Sequence, residues 1–432
     1  MKTNNKHKTK IMNRYTSSIG LSVIAAMTSS LAAQTDNGAQ PDVSLEPGND
    51  SQSPPIYRLE PTLHFRAAHG NTTIPDGAAA FGGHDPRQDN FNLQGIELGT
   101  NIHIGDYVKG FATVNIFKPD GEEFESEFEE GFIKLVNLPG GFEIRGGRML
   151  ARLGDQNARH LHAWDFADAN LMNVRYLGED GLAIEGAEIT WLVPTPWEDA
   201  LSVGFGSAVA HDHAHGDEGH DDEHDEDHDE HEDEDHHDED HDDDHDEDHD
   251  EHGHSEEAEM ARPEKNIVAI RYQAVFGPND FHRFQAGGSF VTGDNGFGMT
   301  TRIYGADLTY TWRENGLESG GQHFRWRTEW LMRDVENDEG GFEDSGFSTA
   351  LMWGFSEGWE AGLRYDYVEG VADPELPERH RISPSITRRF DFGNDLQGLV
   401  RLQYNHDDID GVGKEDSIWL QFGFDWGPGE VR

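Results

Sequence analysis

What most limits the fold of this chain is a series of short segments in which apolar and polar side chains alternate with a period of two, separated by breaks rich in Gly, Asn, Asp and Pro. In 358–367, Trp359, Ala361, Leu363, Tyr365 and Tyr367 share one face, and Glu360, Gly362, Arg364 and Asp366 the other. Segment 395–405 sets Leu396, Val400, Leu402 and Tyr404 against Gln397, Arg401, Gln403 and Asn405. In 322–333, Phe324, Trp326, Trp330 and Met332 oppose Arg325, Arg327, Glu329 and Arg333, and 417–426 places Ile418, Leu420, Phe422, Phe424 and Trp426 on one face. Period two is the signature of a strand with two unlike faces.

Sixteen such segments are predicted, near 56–67, 93–104, 108–118, 127–138, 141–152, 181–193, 200–209, 266–276, 282–292, 302–312, 322–333, 345–355, 358–367, 381–390, 395–405 and 417–426. Tight and long connections alternate between them, the long ones covering roughly 68–92, 119–126, 153–180, 210–265, 294–301, 334–344, 368–380 and 406–416. A soluble all-β protein would explain the alternating faces, but not loops sorted by length onto two ends. A transmembrane barrel explains both. Eleven residues tilted by about 45° rise roughly 25 Å, the height of the apolar band of such barrels. The expectation is therefore an all-β, antiparallel, up-and-down β-barrel of about 16 strands over 56–426, with short periplasmic turns and long outer loops. Its place is the outer membrane of a Gram-negative cell, with outer-membrane lipid around it.

Charge is concentrated. The chain carries 33 basic and 85 acidic residues, a formal net charge of −52. That excludes nucleic acid as a partner, which needs a basic footprint. Within 211–254 lie 14 His and 26 Asp or Glu and no Lys or Arg, so the rest still has 59 acidic against 33 basic residues. With no Cys, thiol chemistry and disulfides are excluded. Residues 1–33 read as an export signal, basic at Lys2, Lys6, Lys8, Lys10 and Arg14 and then apolar from Ile19 to Ala33. A flexible periplasmic lead-in is expected over 34–55, and a short C-terminal tail over 427–432.

The run Phe128-Glu129-Glu130-Gly131-Phe132 through Leu138-Pro139-Gly140-Gly141-Phe142-Glu143-Ile144-Arg145-Gly146-Gly147-Arg148 resembles a hairpin of outer-membrane porins related to phosphate-selective porins. The continuation, Leu153-Gly154-Asp155-Gln156-Asn157, His160-Leu161-His162 and Trp164-Asp165-Phe166, is similar to a subgroup often labelled a zinc-regulated outer-membrane receptor. TonB-dependent receptors have about 22 strands and a plug domain. Only about two dozen residues separate the expected cleavage site from the first strand here, so no plug is expected. The resemblance implies a porin that passes small ions or solutes by diffusion, without turnover and with no resident cofactor. It also implies a homotrimer and a third outer loop folded into the lumen as a constriction. The candidate constriction residues are Asp155, Asn157, His160, His162, Asp165 and Asp168; if extended, His160 and His162 would point the same way and share a cation with Asp165.

Strand parity places Arg325, Arg327, Glu329, Arg333, Arg364, Asp366 and Arg401 toward lumen water, with Asp307. This mixed wall would either set up a transverse field or pair with itself. The tract at 211–254 offers His211, His213, His215, His220, His224, His228, His231, His236, His237, His241, His245, His249, His252 and His254 among carboxylates. These suit Zn²⁺ or another divalent cation, and dense like charge opposes folding without one. Loop order puts the tract outside the cell. The expectation is a porin preferring divalent metal cations, zinc among them. An anion- or phosphate-selective porin, or a metal-binding surface barrel without a pore, is the alternative. Gly354-Phe355-Ser356-Glu357-Gly358 matches a nucleophile-elbow pattern, but is predicted to join two strands by a tight turn with no helix following, so no enzyme is expected.

Overall fold

The structure is a computed structural model that describes residues 57–75, 81–118, 124–209, 259–318, 320–371 and 376–431. The expected signal segment, lead-in and His-rich tract lie outside these residues.

Sixteen strands follow one another: β1 (Tyr57–Thr72), β2 (Asn90–Ile104), β3 (Val108–Lys118), β4 (Glu125–Leu138), β5 (Phe142–Leu150), β6 (Ala183–Pro194), β7 (Glu198–Ala208) and β8 (Pro263–Asn279), then β9 (His282–Asn295), β10 (Thr300–Arg313), β11 (His323–Val335), β12 (Phe342–Ser356), β13 (Trp359–Val368), β14 (Arg379–Gly393), β15 (Leu396–Ile409) and β16 (Gly413–Trp426). Each pairs antiparallel with its chain neighbours, and β1 pairs with β16 to close the barrel. Closure leaves no unpaired edge, which a membrane requires of a sheet.

The period-two pattern sorts the two faces. Along β16, Ile418, Leu420, Phe422 and Phe424 are exposed, whereas Ser417 and Gln421 are buried in the interior. This is the inverse of a soluble protein, and it places an apolar band against lipid and polar groups inside. At the end carrying both termini, β14 and β15 turn through Asn394 and Asp395, both in the left-handed region at φ 54° and 58°, the conformation whose twist matches a two-residue hairpin.

Two expected long connections are corrected. Those placed at 294–301 and 406–416 shrink to 296–299 and 410–412, because the paired ladders run beyond the apolar band to Asn295, Thr300, Ile409 and Gly413. Polar residues such as Asp407 and Asp408 hide this extension from hydropathy, yet pair in register with Glu415 and Lys414.

The third long connection folds into the barrel. It holds a 3-10 turn at Leu161–Ala163 and one helix, α1 (Leu171–Leu177), capped at its N-terminus by Asn170, whose side chain accepts from the Asn173 amide. In the long-loop half, Leu171, Met172, Tyr176 and Leu177 of α1 pack against the inward-facing Ile267, Val291, Ile303, Leu331 and Val368. That half of the interior is an apolar core as well as a lumen.

Candidate functional site in the barrel lumen

Asn157 staples the in-folded loop at its base. Its amide donates to the Ala151 and Leu182 carbonyls (2.8 and 3.1 Å), and its carbonyl oxygen accepts from the Leu182 amide (2.8 Å). Gly154, at φ +62°, lies so close to β11 that an added Cβ would sit 1.5 Å from Glu329 Oε1. Only glycine suits both that conformation and that approach.

Beyond the staple, the loop sorts its charges between two walls. Its aspartates face the arginines of β11 to β15. Asp165 accepts from Arg325 and Arg327 together. Asp168 accepts from four side chains: Arg364 (2.7 Å) and Gln403 (2.7 Å) on Oδ1, and Arg381 (2.9 Å) and Asn405 (2.8 Å) on Oδ2. Burial opposes the charge on Asp165, but the Arg325 and Arg327 guanidiniums outweigh it and hold the carboxyl well below the usual range. Asp155 lies 2.7 Å from Arg159 and 3.6 Å from Arg327.

The histidines turn the other way, to carboxylates of β2 and β4. His160 places Nδ1 3.1 Å from Glu129 and Nε2 2.9 Å from Glu130. His162 Nδ1 donates to Glu97. His84, from the first long loop, lies 3.5 Å from both Glu129 and Asp180. Burial alone would lower its pKa; the Glu129 hydrogen bond and the Asp180 and Glu129 charges prevail and raise it to about 10.

Two expectations are therefore corrected. His160 and His162 do not meet Asp165: their rings stack 6.0 Å apart against the acidic wall, while Asp165 is taken by arginines. Nor do the parity-assigned lumen charges all face water. Arg333, Arg364, Asp366 and Arg401 are almost fully buried, because the loop and neighbouring strands cover them. Arg333 pairs with Asp344 (2.7 Å), Arg364 with Asp168 and Asp366 (2.7 Å each), and Arg401 donates to Gln421 (2.7 Å) and to the Trp164 carbonyl (3.1 Å). Arg325 and Arg327 remain partly exposed, and Glu329 is buried.

Three cavities that share lining residues follow the in-folded loop. One of about 550 Å³ includes His162, Asp165, Arg325, Arg327 and Arg389 in its lining. A second, of about 260 Å³, includes Arg145, Arg152, Asp155, Arg159 and Arg271. Between them lies a neck of about 40 Å³ that shares Asp165 and Arg327 with the first and Asp155 with the second. The charged groups lining the neck are Asp155, Asp165, Asp168, Glu329, Arg327 and Arg364. Glu329 accepts a 3.3 Å hydrogen bond from the Gln156 amide, and among the described residues no basic side chain pairs with it.

Parity alone identifies Glu329, and it places Gln403 and Asn405 on the same face as Arg401. Arg381 opens the expected segment 381–390 with nothing in the sequence to show its partners, and Asp407 lies beyond 405, where the ladder continues past the apolar band. Gly354–Gly358 closes the hairpin from β12 to β13, strand to strand, so the turn into a helix that a nucleophile elbow needs is not formed.

No family model matches the chain. An uncharacterised protein of Aquifex aeolicus is 34% identical over 128 residues, a match that spans 29% of this chain and 26% of that protein. Among solved structures, the chain is similar to the anion-selective porin from Comamonas acidovorans, with a TM-score of 0.52 and 9% identity over 86% of this chain and 100% of that one. It is also similar to the outer membrane channel DcaP of Acinetobacter baumannii (TM-score 0.50, 10% identity, 86% and 97% covered) and to OprB of Pseudomonas putida (TM-score 0.50, 9% identity, 86% and 94% covered). At such identities the likeness is one of fold: an outer-membrane porin-type barrel.

Proposed function

We propose that this barrel is a porin of the outer membrane through which small hydrophilic solutes diffuse, with a preference for divalent cations such as Zn²⁺. The observation that carries the reading is the neck. Four carboxylates face two guanidiniums there, and Glu329 has no basic partner among the described residues. Carboxyl groups outnumber guanidiniums in that lining, and a low-dielectric passage magnifies such an excess in favour of cations. The His-rich tract at 211–254 would gather metal at the outer face before it reaches the pore, a role consistent with the resemblance to the subgroup labelled zinc-regulated.

A second reading, an anion-selective porin, is favoured by the cavity of about 260 Å³, where Arg145, Arg152, Arg159 and Arg271 outnumber Asp155. Those guanidiniums are compensated: Arg145 and Arg152 pair with Glu188 (2.8 and 3.0 Å), Arg159 with Asp155 and Arg271 with Asp307 (2.7 Å each). The test is the reversal potential of single channels in planar bilayers under a salt gradient, with and without Zn²⁺. Cation preference at low salt, with Zn²⁺ current or block, is expected; anion preference would refute the reading in favour of the second, and no conductance would leave a surface barrel.

A further inference from the structure

An apolar septum crosses the polar lumen at the level of α1. Ile184 of β6, Leu331 of β11 and Val368 of β13 belong to one buried cluster with Met172 and Tyr176 of α1, and β6 and β13 stand on nearly opposite walls of the sixteen-strand ring. The first long loop fills the space beside the septum and touches both flanks of α1. Asp85 accepts from the Ala169 amide (2.7 Å), and the Gly83 amide donates to the Glu179 carbonyl (3.2 Å). His84, Asp85 and Asp168 are buried in this filling. The neck of about 40 Å³ runs up against it, because its lining includes Asn170, the N-cap of α1.

This arrangement has the chemistry of a stopper. A wall facing lumen water gains nothing from Leu331 or Ile303, which are buried because α1 covers them. A dry apolar constriction stops ions by excluding the water that must accompany them. The attachment of α1 also suits movement. Apolar contact is non-directional, and Arg175 supplies a polar latch near the C-terminal end of the helix. It donates to the Pro377 and Glu369 carbonyls (2.6 and 3.3 Å) on the outer loop between β13 and β14, while its own carbonyl accepts from Arg333 (3.3 Å). Just past Leu177 the chain turns through Gly178 and Gly181, at φ +100° and +78°, where glycine's conformational freedom offers a pivot.

We propose that α1 is a hydrophobic gate, closed in this structure, and that solutes cross only while α1 is off its seat, with Arg175 as the latch. The proposal rests on the porin reading above and adds that the channel switches between closed and open states rather than standing open.

The chain has no Cys, so α1 can be bolted to the wall by a single engineered disulfide. A Cβ built on Gly346 of β12 comes 3.1 Å from Met172 Cβ, and a shift of about 0.5 Å brings the pair into the disulfide range of about 3.5–4.5 Å. Single-channel recording on the full chain carrying Met172→Cys and Gly346→Cys should show openings like the parent's under reductant. Oxidation, with the crosslink verified by mass, should abolish them, and each single variant should be indifferent to redox state. Oxidised and reduced channels that conduct alike would overturn the gate and leave the porin reading intact, whereas a parent silent under both conditions would overturn both. Arg175→Ala tests the same gate without a crosslink. It should raise the open probability severalfold, and an unchanged or lower value would overturn the latch.

Discussion

Asp168 is the group whose removal should do most to free the constriction loop, and the size of the effect can be worked out from its contacts. Its carboxylate accepts from Arg364, Gln403, Arg381 and Asn405, and so ties the loop to β13, β14 and β15. Asp168→Ala leaves two buried guanidiniums short of a partner. Breaking a buried ion pair by deleting one member typically costs about 3–5 kcal/mol. The low end applies, because Arg364 keeps Asp366 (2.7 Å) and Arg381 keeps Asp407 (3.0 Å). A loss of about 3 kcal/mol raises the population of loop-open states roughly a hundredfold. The barrel itself should hold, since its ladders do not pass through Asp168. Hydrogen exchange followed by mass spectrometry on detergent-folded protein reads this directly. Amides of 161–177, including Ala169, whose N–H donates to Asp85 (2.7 Å), should exchange about a hundredfold faster, while β13 to β15 stay protected. An acceleration below about threefold, under 1 kcal/mol, would refute the reasoning. Equal deprotection of the three strands would refute it too, by showing that the loop and wall open as one unit.

Other outcomes follow from the same geometry. At alkaline pH, where even a buried carboxyl without a basic partner is ionised, Glu329→Gln should lower cation preference severalfold with little change in conductance, as the reversal potential in dilute salt would show; screening shortens from about 30 Å at 0.01 M to about 3 Å at 1 M, so the difference should fade in concentrated salt. For His84, the pKa of about 10 in the fold lies above its ordinary 6.5, so its contribution to docking the first loop is complete below about pH 6.5 and is lost as pH rises toward 10. The protection factor of the Gly83 amide, which donates to the Glu179 carbonyl (3.2 Å), should therefore fall over that interval in the parent and stay level in His84→Gln. Deleting 211–254 should remove most zinc binding measured by calorimetry while the refolded barrel still conducts; unchanged zinc binding would reduce the tract to a solvated charge brush.

The barrel was legible because its determinants are local. A strand in this setting needs only one lipid-facing side chain at every second position, and Trp359, Leu363 and Ile418 announce that within a window of ten residues. Strand ends were less legible, since above the membrane both faces are polar and the alternation stops while pairing continues, as in Asp407 and Asp408. The apolar core around α1 was the least visible. Leu331 and Ile303 lie on the polar face of their strands, where single apolar residues look like exceptions to the pattern. They become a cluster only when the loop brings Met172 and Tyr176 to them.

The site was legible by residue type and not by partnership, and the reason bears on selectivity. Spacing grouped His160 and His162 with Asp165, yet a buried loop residue takes its partner from the wall it touches. Carboxylates on β2 and β4 attract the histidines, and arginines on β11 to β14 attract the aspartates. Once those pairs form, net charge is a poor guide to the field inside. The excess acid outside the His-rich tract argues for cations through long-range attraction that salt screens, whereas most interior charges cancel within a few ångströms. What a passing ion meets in the neck is the remainder, and the described neck residue without a compensating partner is Glu329. Once alkaline pH ionises it, selectivity should therefore respond to that one carboxyl far more than to the removal of paired surface acids such as Glu198, which lies 3.0 Å from Arg283 on the exposed rim.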